Sequence, residues 1–300
     1  MAESGPRRVV LSVDLDEWYH CRWATGSPRS RWKDTAAFFR AHYGTDRPTG
    51  ELIAPTRRIL ELFARRGVRA TFFILGEVVG HYPELVREIA AAGHEIGSHG
   101  FHHVDIDLLG PDGFARELAR GHDAIAQLLG RPPVGYRAPN LLLRDFMIPI
   151  LRAHGFRYDA SVCTARSLLG KDFGHKHVVS NPYRFRERFS EPDPAGDLVE
   201  IPIPTVPVLR LPAATGILTR VAGVSWTMWG LRDALRTGDA QYYFHPYEMG
   251  PRPDLAFTWR ERLFLRRLGP WMEGAVGRIV ERLQGAGARF VTAGELAEAL

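Results

Sequence analysis

The sequence predicts an α/β fold in which helices flank a parallel sheet, either open or closed into a barrel. Short apolar runs alternate with amphipathic segments along most of the 300 residues, which is the rhythm of consecutive strand–helix units. Hydrophobic residues make up 45% of the chain and charged residues 24%, so the chain can bury a sizeable core. Neither a linker-like composition nor a repeat divides the sequence. We therefore expect a single domain over residues 1–300.

Seven apolar runs are predicted to be strands, at residues 8–15, 69–75, 94–99, 133–139, 156–161, 198–206 and 240–249. Segments with helical periodicity lie between or after them, at residues 52–67, 83–93, 112–130 and 259–287. Pro83 and Gly93 are typical boundaries of the second helix, and Gly67 ends the first. The tail 288–300 adds a last strand and helix, which completes a helical C-terminal part over 259–300. Two segments without periodicity are predicted to be functional loops, at residues 18–50 and 162–197.

The charge and the cysteine content exclude several classes of protein. The net charge of +5 is spread along the chain without the basic stripe of a nucleic-acid-binding protein, so we expect no nucleic-acid partner. Two cysteines cannot form a disulfide framework. Asp14 interrupts the N-terminal apolar run, which is therefore too short for a signal peptide, and no run reaches the ~20 residues of a membrane span. We expect a cytoplasmic protein without a transmembrane segment.

Histidines are crowded into the stretch GSHGFHH, residues 97–103. His99 and His103 are four residues apart, so one helical turn or a tight loop brings both imidazoles to the same side. His102 then points elsewhere, and His94, at the other end of the predicted strand, is interpreted as structural. The sequence therefore predicts a pair of imidazoles that face one ligand.

Carboxylates follow the first predicted strand. Asp14 and Asp16 are two residues apart, so on a strand both side chains leave the same face. Because the carboxyl ends of parallel strands meet at one edge, we expect these groups to converge there with the two histidines, with Arg137 and with His245. Two histidines and one aspartate form a three-ligand site that keeps a position open for water, as a hydrolytic zinc site needs.

Six segments in order resemble the motifs of the polysaccharide deacetylases, the NodB-homology family or carbohydrate esterase family 4: VDLDEW, ATFFILG, GHEIGSHGFHH, GYRAPN, YDASV and YFHPYEMGP. They span residues 8–251, and the last of them most resembles the branch found in bacterial polysaccharide-synthesis loci. The resemblance implies a distorted (β/α)7 barrel. It also implies a metal-dependent hydrolase that removes an N-acetyl group from an amino sugar or glycoconjugate, with a divalent ion, expected to be Zn²⁺, as its cofactor.

The resemblance also implies roles for individual residues. It makes His99, His103 and Asp16 the metal ligands. It makes Asp14 the catalytic base, Arg137 the residue that orients this base, and His245 the general acid. This chain reads Asp-Leu-Asp-Glu where family members carry other acidic patterns, so the carboxylate ligand is either Asp16 or Glu17. Strand alternation favours Asp16, because Glu17 should face away from Asp14.

Residues beside these motifs are candidates for substrate binding. Trp18, Tyr136 and Tyr247 offer ring faces for a sugar, and Pro139 completes the Arg-x-Pro motif. An alternative function is hydrolysis of another C–N amide bond, in a formamide or a cyclic amide. Two histidines and a carboxylate also bind Fe(II) in oxygenases, and a non-catalytic carbohydrate-binding relative is a further alternative. The presence of both a base and an acid argues against these last two. The sequence makes no prediction of the oligomeric state.

Overall fold

A curled sheet runs through the computed structural model, which describes residues 6–166, 175 and 177–300. The described residues contain nine strands: β1 Arg8–Leu15, β2 Thr71–Ile74, β3 Glu95–Ser98, β4 Gly135–Tyr136, β5 Tyr158–Asp159, β6 Tyr183–Phe185, β7 Leu198–Glu200, β8 Ala240–Phe244 and β9 Arg289–Val291. Their order is β6-β7-β5-β4-β3-β2-β1-β8, and β9 pairs with β1. The β6–β7 pair is antiparallel and the other ladders are parallel.

Eleven helices of the described residues surround this sheet: α1 Thr35–Tyr43, α2 Ile53–Arg66, α3 Gly76–His81, α4 Pro83–Ala91, α5 Ile106–Leu129, α6 Met147–Ala153, α7 Gly216–Ala222, α8 Val224–Thr237, α9 Trp259–Phe264, α10 Pro270–Gly285 and α11 Ala293–Glu298. The largest apolar cluster fills the space between the sheet and helices α2, α4, α8 and α10. Both faces of the central strands are therefore buried, as parallel sheets require.

Seven strands in this order run parallel, from β7 at one end to β8 at the other, and the two ends of the sheet do not pair with each other in the described part of the chain. The predicted distorted (β/α)7 barrel is confirmed. The register of β1 is set on both of its edges, because Val13 pairs with Phe72 of β2 and with Phe244 of β8.

The observed elements differ from the predicted ones mainly in length. The runs 133–139, 156–161 and 198–206 were predicted as strands, but their ladders cover two or three residues each. The run 240–249 leaves the sheet after Phe244, because Pro246 has no N–H to donate, and a 3₁₀ helix occupies Pro246–Met249.

Three further elements lie where none was predicted or where the bounds are different. The segment 18–50 contains helix α1, which begins at an Asp34 cap that accepts a hydrogen bond from the Ala37 N–H at 2.8 Å. The segment 162–197 contains strand β6, and its residues 167–174 and 176 lie outside the described residues. The helix predicted over 112–130 begins earlier, at Ile106, and is broken at Gly110, whose φ is +61°.

Candidate active site

Strand register brings the predicted site residues to one rim. Phe244 of β8 lies opposite Val13 of β1, so His245 follows at the level of Asp14. Ser98 of β3 lies opposite Tyr136 of β4, so His99 and Arg137 are also neighbours. The side chains that converge here come from the carboxyl ends of four parallel strands, where parallel α/β folds place their sites.

Asp16, His99 and His103 form a compact group at this rim. One potential ligand atom from each of the three lies within 4.8 Å of the others. His99 Nδ1 lies 2.7 Å from the carbonyl oxygen of Arg137, so Nδ1 carries the proton and Nε2 is left to bind. His103 Nε2 lies 3.5 Å from Asp16 Oδ2. Glu17 does not belong to this group, because its carboxylate accepts the Trp18 N–H at the start of the 3₁₀ helix Trp18–His20.

A glycine contact holds the loop that carries the two histidines. The Gly100 carbonyl oxygen accepts the Gly76 N–H at 2.9 Å, and the Phe101 carbonyl oxygen accepts the Glu77 N–H at 3.1 Å. Helix α5 packs Gly121 directly against this loop, where a β-carbon would overlap the Gly100 carbonyl oxygen. The absence of side chains at these contacts lets α3 and α5 clamp the loop from two sides.

The electrostatics of the group suit a cation. Burial lowers the pKa of His99 to about 4 and that of His103 well below its ordinary value, so both imidazoles are neutral. Burial raises the pKa of Asp16 to about 7. Asp16 Oδ1 and His103 Nδ1 are buried and have no hydrogen-bond partner among the described residues. A divalent ion would compensate these buried polar atoms, and His nitrogen with carboxylate oxygen is a donor set that Zn²⁺ accepts.

Arg137 fixes the carboxylate of Asp14. Its guanidinium is fully buried and donates to Asp14 Oδ1 at 2.7 Å and to Ser12 Oγ at 3.0 Å. The carbonyl oxygen of Ala160 and the side chain of Gln241 accept the other protons. Held in this way by acceptors on or just after β1, β5 and β8, the guanidinium leaves Asp14 Oδ2 directed at His245, whose Nε2 lies 3.9 Å away.

His245 completes the rim from the β8 side. Its Nε2 lies 4.0 Å from Asp16 Oδ1 as well as near Asp14. Burial alone would lower the pKa of His245, but the carboxylates of Asp16 and Glu248 outweigh this effect and raise it to about 9. The side chain is 12% exposed, so a ligand can reach the ring. The ring is therefore in a position to donate a proton.

The predicted substrate-binding residues divide into two pairs. Trp18 and Tyr247 line a cavity of about 360 Å³ beside the rim, and the Tyr247 ring stacks on His245 with a centroid distance of 5.1 Å. Tyr136 is 2% exposed and packs against Phe114 and Phe156 in an apolar cluster. Pro139 is also buried, at the start of the 3₁₀ helix Pro139–Leu141. The first pair therefore borders a cavity large enough for a ligand, whereas Tyr136 and Pro139 line only a narrow space of about 10 Å³.

Other histidines take structural positions. His102 turns outward and pairs with Glu117, with Nδ1 at 3.2 Å from Oε1. His94 Nδ1 accepts the Ala70 N–H at 3.1 Å in the core. His20 Nε2 lies 3.3 Å from Glu77 Oε1, and its Nδ1 accepts the Glu17 N–H, so both of its nitrogens are occupied.

Sequence reasoning missed the residues on the far side of His245. Glu248 lies 3.3 Å from His245 Nδ1 and accepts the guanidinium of Arg220 at 2.7 Å. The spacing His-Pro-x-Glu was a local signal, because it fits a capping box in which the third helical residue reaches back to the cap. No local signal pointed to Arg220.

Residues 52–158 match the family model of the polysaccharide deacetylases. This segment contains His99, His103 and Arg137, whereas Asp14, Asp16 and His245 lie outside it. The chain is 32% identical over 129 residues to a peptidoglycan deacetylase of Helicobacter pylori, a match that covers 43% of this chain and 41% of that protein. It is 35% identical over 106 residues to a chitin deacetylase of Pestalotiopsis, covering 34% of this chain and 36% of that protein. The chain thus spans about two fifths of the length of these curated relatives.

The fold has a counterpart among solved structures. A putative polysaccharide deacetylase from Mycobacterium smegmatis superposes with a TM-score of 0.69 at 19% identity, covering 100% of this chain and 92% of that one. Within the described residues, no helix combines the length and the apolar character needed to cross a bilayer. Residues 52–158 of this chain are thus similar to the polysaccharide deacetylases, and the fold around them is shared with a solved structure of that description.

Proposed function

We propose that this chain is a metal-dependent hydrolase that removes the N-acetyl group of an amino sugar or glycoconjugate. At one rim of the barrel, three side chains that could bind a cation lie next to a carboxylate and an imidazole, and this observation supports the proposal. Asp16, His99 and His103 lie within ligand distance of one another, and Asp14 and His245 flank them. This arrangement supplies both an electrophilic centre and two groups that can move protons.

The metal we propose is Zn²⁺, held by Asp16, His99 and His103. When bound, such an ion polarises the substrate carbonyl and makes water more acidic. The proposal for zinc rests on the nitrogen-rich set of ligands.

The residues of the chain would carry the proton transfers. Asp14, aimed by Arg137, accepts a proton from the attacking water as its oxygen adds to the acetyl carbon. The nitrogen of the substrate cannot leave as an anion, so His245 donates a proton to it from the opposite side. The C–N bond then breaks, and acetate and a free amine are the products. Trp18 and Tyr247 supply apolar ring faces beside the acetamide for the sugar.

Two features support the proposed substrate class and domain organisation. The peptidoglycan and chitin deacetylases matched by this chain are named for acetylated amino sugars.

We also propose that residues 1–300 form one domain, because β9, near the end of the chain, pairs with β1 at its start. The cytoplasmic location stays a prediction.

A substrate panel tests the proposal. Purified protein loaded with Zn²⁺ is incubated with N-acetylated amino sugars that are free, nucleotide-linked or polymeric, and with formamides and cyclic amides. We expect acetate and a free amine from at least one acetylated sugar, and loss of this activity after chelation. Turnover confined to formamides or cyclic amides would establish the alternative hydrolase, and oxygen-dependent turnover would contradict the proposal altogether.

A further inference from the structure

A buried ion pair supports His245 from behind. The carboxylate of Glu248 accepts the His245 N–H at 2.9 Å with Oε2, and the same oxygen lies 3.3 Å from the ring nitrogen Nδ1. The other oxygen, Oε1, accepts the guanidinium Nε of Arg220 at 2.7 Å. Glu248 is 0% exposed and Arg220 is 1% exposed, so water does not compete for these contacts.

Two elements fix this carboxylate in place. The turn of the 3₁₀ helix Pro246–Met249 brings the Glu248 side chain back to the backbone N–H of His245, the residue that precedes this helix. Helix α7 contributes Arg220, whose guanidinium also donates to the carbonyl oxygens of Phe264 and Arg266. The same helix begins at Gly216, where a β-carbon would overlap Glu248 Oε2. The carboxylate therefore occupies a space that the chain keeps open for it.

The placement sets the state of the His245 ring. Burial alone would raise the pKa of Glu248, but Arg220 and His245 hold it below its ordinary value, so the group accepts hydrogen bonds and donates none. A carboxylate on the Nδ1 side keeps a proton on Nδ1 and turns Nε2 toward Asp14 and Asp16. Asp159, another buried acid, does not compete for this role, because both of its oxygens accept hydrogen bonds from Ser161.

We propose that Glu248, anchored by Arg220, is the positioning residue of His245 and aims its Nε2 proton at the leaving nitrogen. The inference rests on the proposed function for its chemical consequence. A purely structural role, in which Glu248 only neutralises the buried Arg220, is the competing explanation. Buried pairs of this kind are often replaceable by apolar groups without loss of stability, so the two explanations can be separated by removing both charges.

The first test compares two classes of substrate. An acetylated amino sugar needs a proton on its leaving nitrogen, whereas 4-nitrophenyl acetate releases a stable phenolate and needs none. We expect Glu248→Gln to lower kcat about 10²-fold on the amide and to change ester hydrolysis little, with the bound metal retained. In a His245→Ala background the same substitution should cost nothing further, because residues that act as a unit are not additive.

The matched control is Glu295→Gln. Glu295 reaches back to the Thr292 N–H in the same kind of capping box and pairs with an arginine, Arg69, away from the rim. We expect the Glu295→Gln variant to hydrolyse the amide substrate at the wild-type rate. The double variant Arg220→Met with Glu248→Gln removes both buried charges. We expect it to recover the thermal stability lost in Glu248→Gln while amide turnover stays low.

Recovery of amide turnover in that double variant would overturn the inference, as would equal losses on the amide and the ester. The ¹⁵N chemical shifts of His245 give a readout that does not depend on turnover. We expect protons on both ring nitrogens in the wild-type protein, with the Nδ1–H hydrogen-bonded to the carboxylate, and loss of that hydrogen bond in Glu248→Gln; an unchanged spectrum would also overturn the inference. Absence of turnover on every acetylated sugar would refute the proposed function, whereas the spectrum would still decide the role of Glu248.

Discussion

Hydrogen bonds to single ring nitrogens decide which of the crowded histidines can bind a cation. His99 gives its Nδ1 proton to a backbone carbonyl, and His103 has a buried nitrogen without a partner among the described residues. His102 is already paired with Glu117 and turns outward. Two of the three adjacent imidazoles are therefore free for a ligand on the same side.

Metal content should depend on His99 and His103 and not on His102. We predict that His99→Ala or His103→Ala removes most of the zinc bound after dialysis, because each deletes one of three protein ligands. The measurement is the metal-to-protein ratio by elemental analysis, with His102→Ala as the control. Loss of metal from the control together with its retention in His103→Ala would refute the ligand assignment.

Asp14 and His245 should be needed for turnover and dispensable for metal. We predict that Asp14→Asn and His245→Ala each lower kcat by about 10²–10⁴-fold, the usual contribution of a proton-transfer group. Steady-state rates on an acetylated amino sugar and the metal-to-protein ratio are measured on the same samples. Wild-type kcat in His245→Ala would show that the acid lies elsewhere.

The sequence was informative about residues whose relation is local. An i, i+4 pair and an alternating pair of carboxylates follow from backbone geometry alone, and the structure places both at one rim. Tyr136 was expected at the site because it adjoins Arg137, yet it packs in the core, because neighbours on a strand face opposite sides. Arg220 could not be found at all, since only the packing of α7 against the 3₁₀ helix brings it to Glu248.

At the scale of elements, the strands end early where the site begins. The run 133–139 reads as one strand, but its ladder covers Gly135–Tyr136, and the next side chain, Arg137, turns into the sheet interior to reach Asp14. Apolar character continues past the ladder because the chain stays buried there. The apolar runs therefore predict where these strands lie. They do not predict where each strand ends, because a buried loop residue is as apolar as a strand residue.

The glycine contact between α5 and the histidine loop gives a prediction for this scale. Gly121→Ala should destabilise the protein by about 1–3 kcal/mol, because a β-carbon there must displace the Gly100 backbone, and it should weaken metal binding as the loop shifts. Gly285→Ala is the control, since Gly285 is the last residue of α10 and no atom lies within 4 Å of its β-carbon, and it should change the stability by no more than about 0.5 kcal/mol. Chemical denaturation and metal titration measure both effects.

At the scale of the whole molecule, the stability of the fold depends on a neutral histidine at the base of the barrel. The His94 ring lies between Phe63 and Phe72, with centroid distances of 5.7 and 5.2 Å. Burial, with a smaller contribution from Arg69, lowers the pKa of His94 to about 4. The ring therefore stays neutral in the folded protein at a pH where the unfolded chain protonates it.

Acid should therefore lower the stability of the fold through His94. The unfolded chain binds this proton below about pH 6.5 and the folded chain only near pH 4, so the free energy of unfolding falls as the pH drops through that window. We predict a loss of roughly 2–3 kcal/mol between pH 6.5 and pH 4 for this buried ring, and a shallower pH dependence in His94→Asn. Denaturation of both proteins in EDTA measures it, and parallel curves would contradict the assignment.

Strand order at this scale was largely beyond the sequence. Alternating strands and helices predicted a parallel sheet, and the barrel confirms it. The antiparallel β6 and the partner of β9 depend on contacts between residues far apart in sequence, which local patterns do not encode.

The pairing of β9 with β1 has a consequence for synthesis on the ribosome. The first half of β1 has β8 on one edge and β9 on the other, with Val9 opposite both Ala240 and Phe290. Its backbone donors and acceptors on the β9 side therefore wait for residues 289–291 to leave the ribosomal tunnel. Until then the nascent chain exposes an apolar, unpaired strand edge, and such edges are where chains associate wrongly.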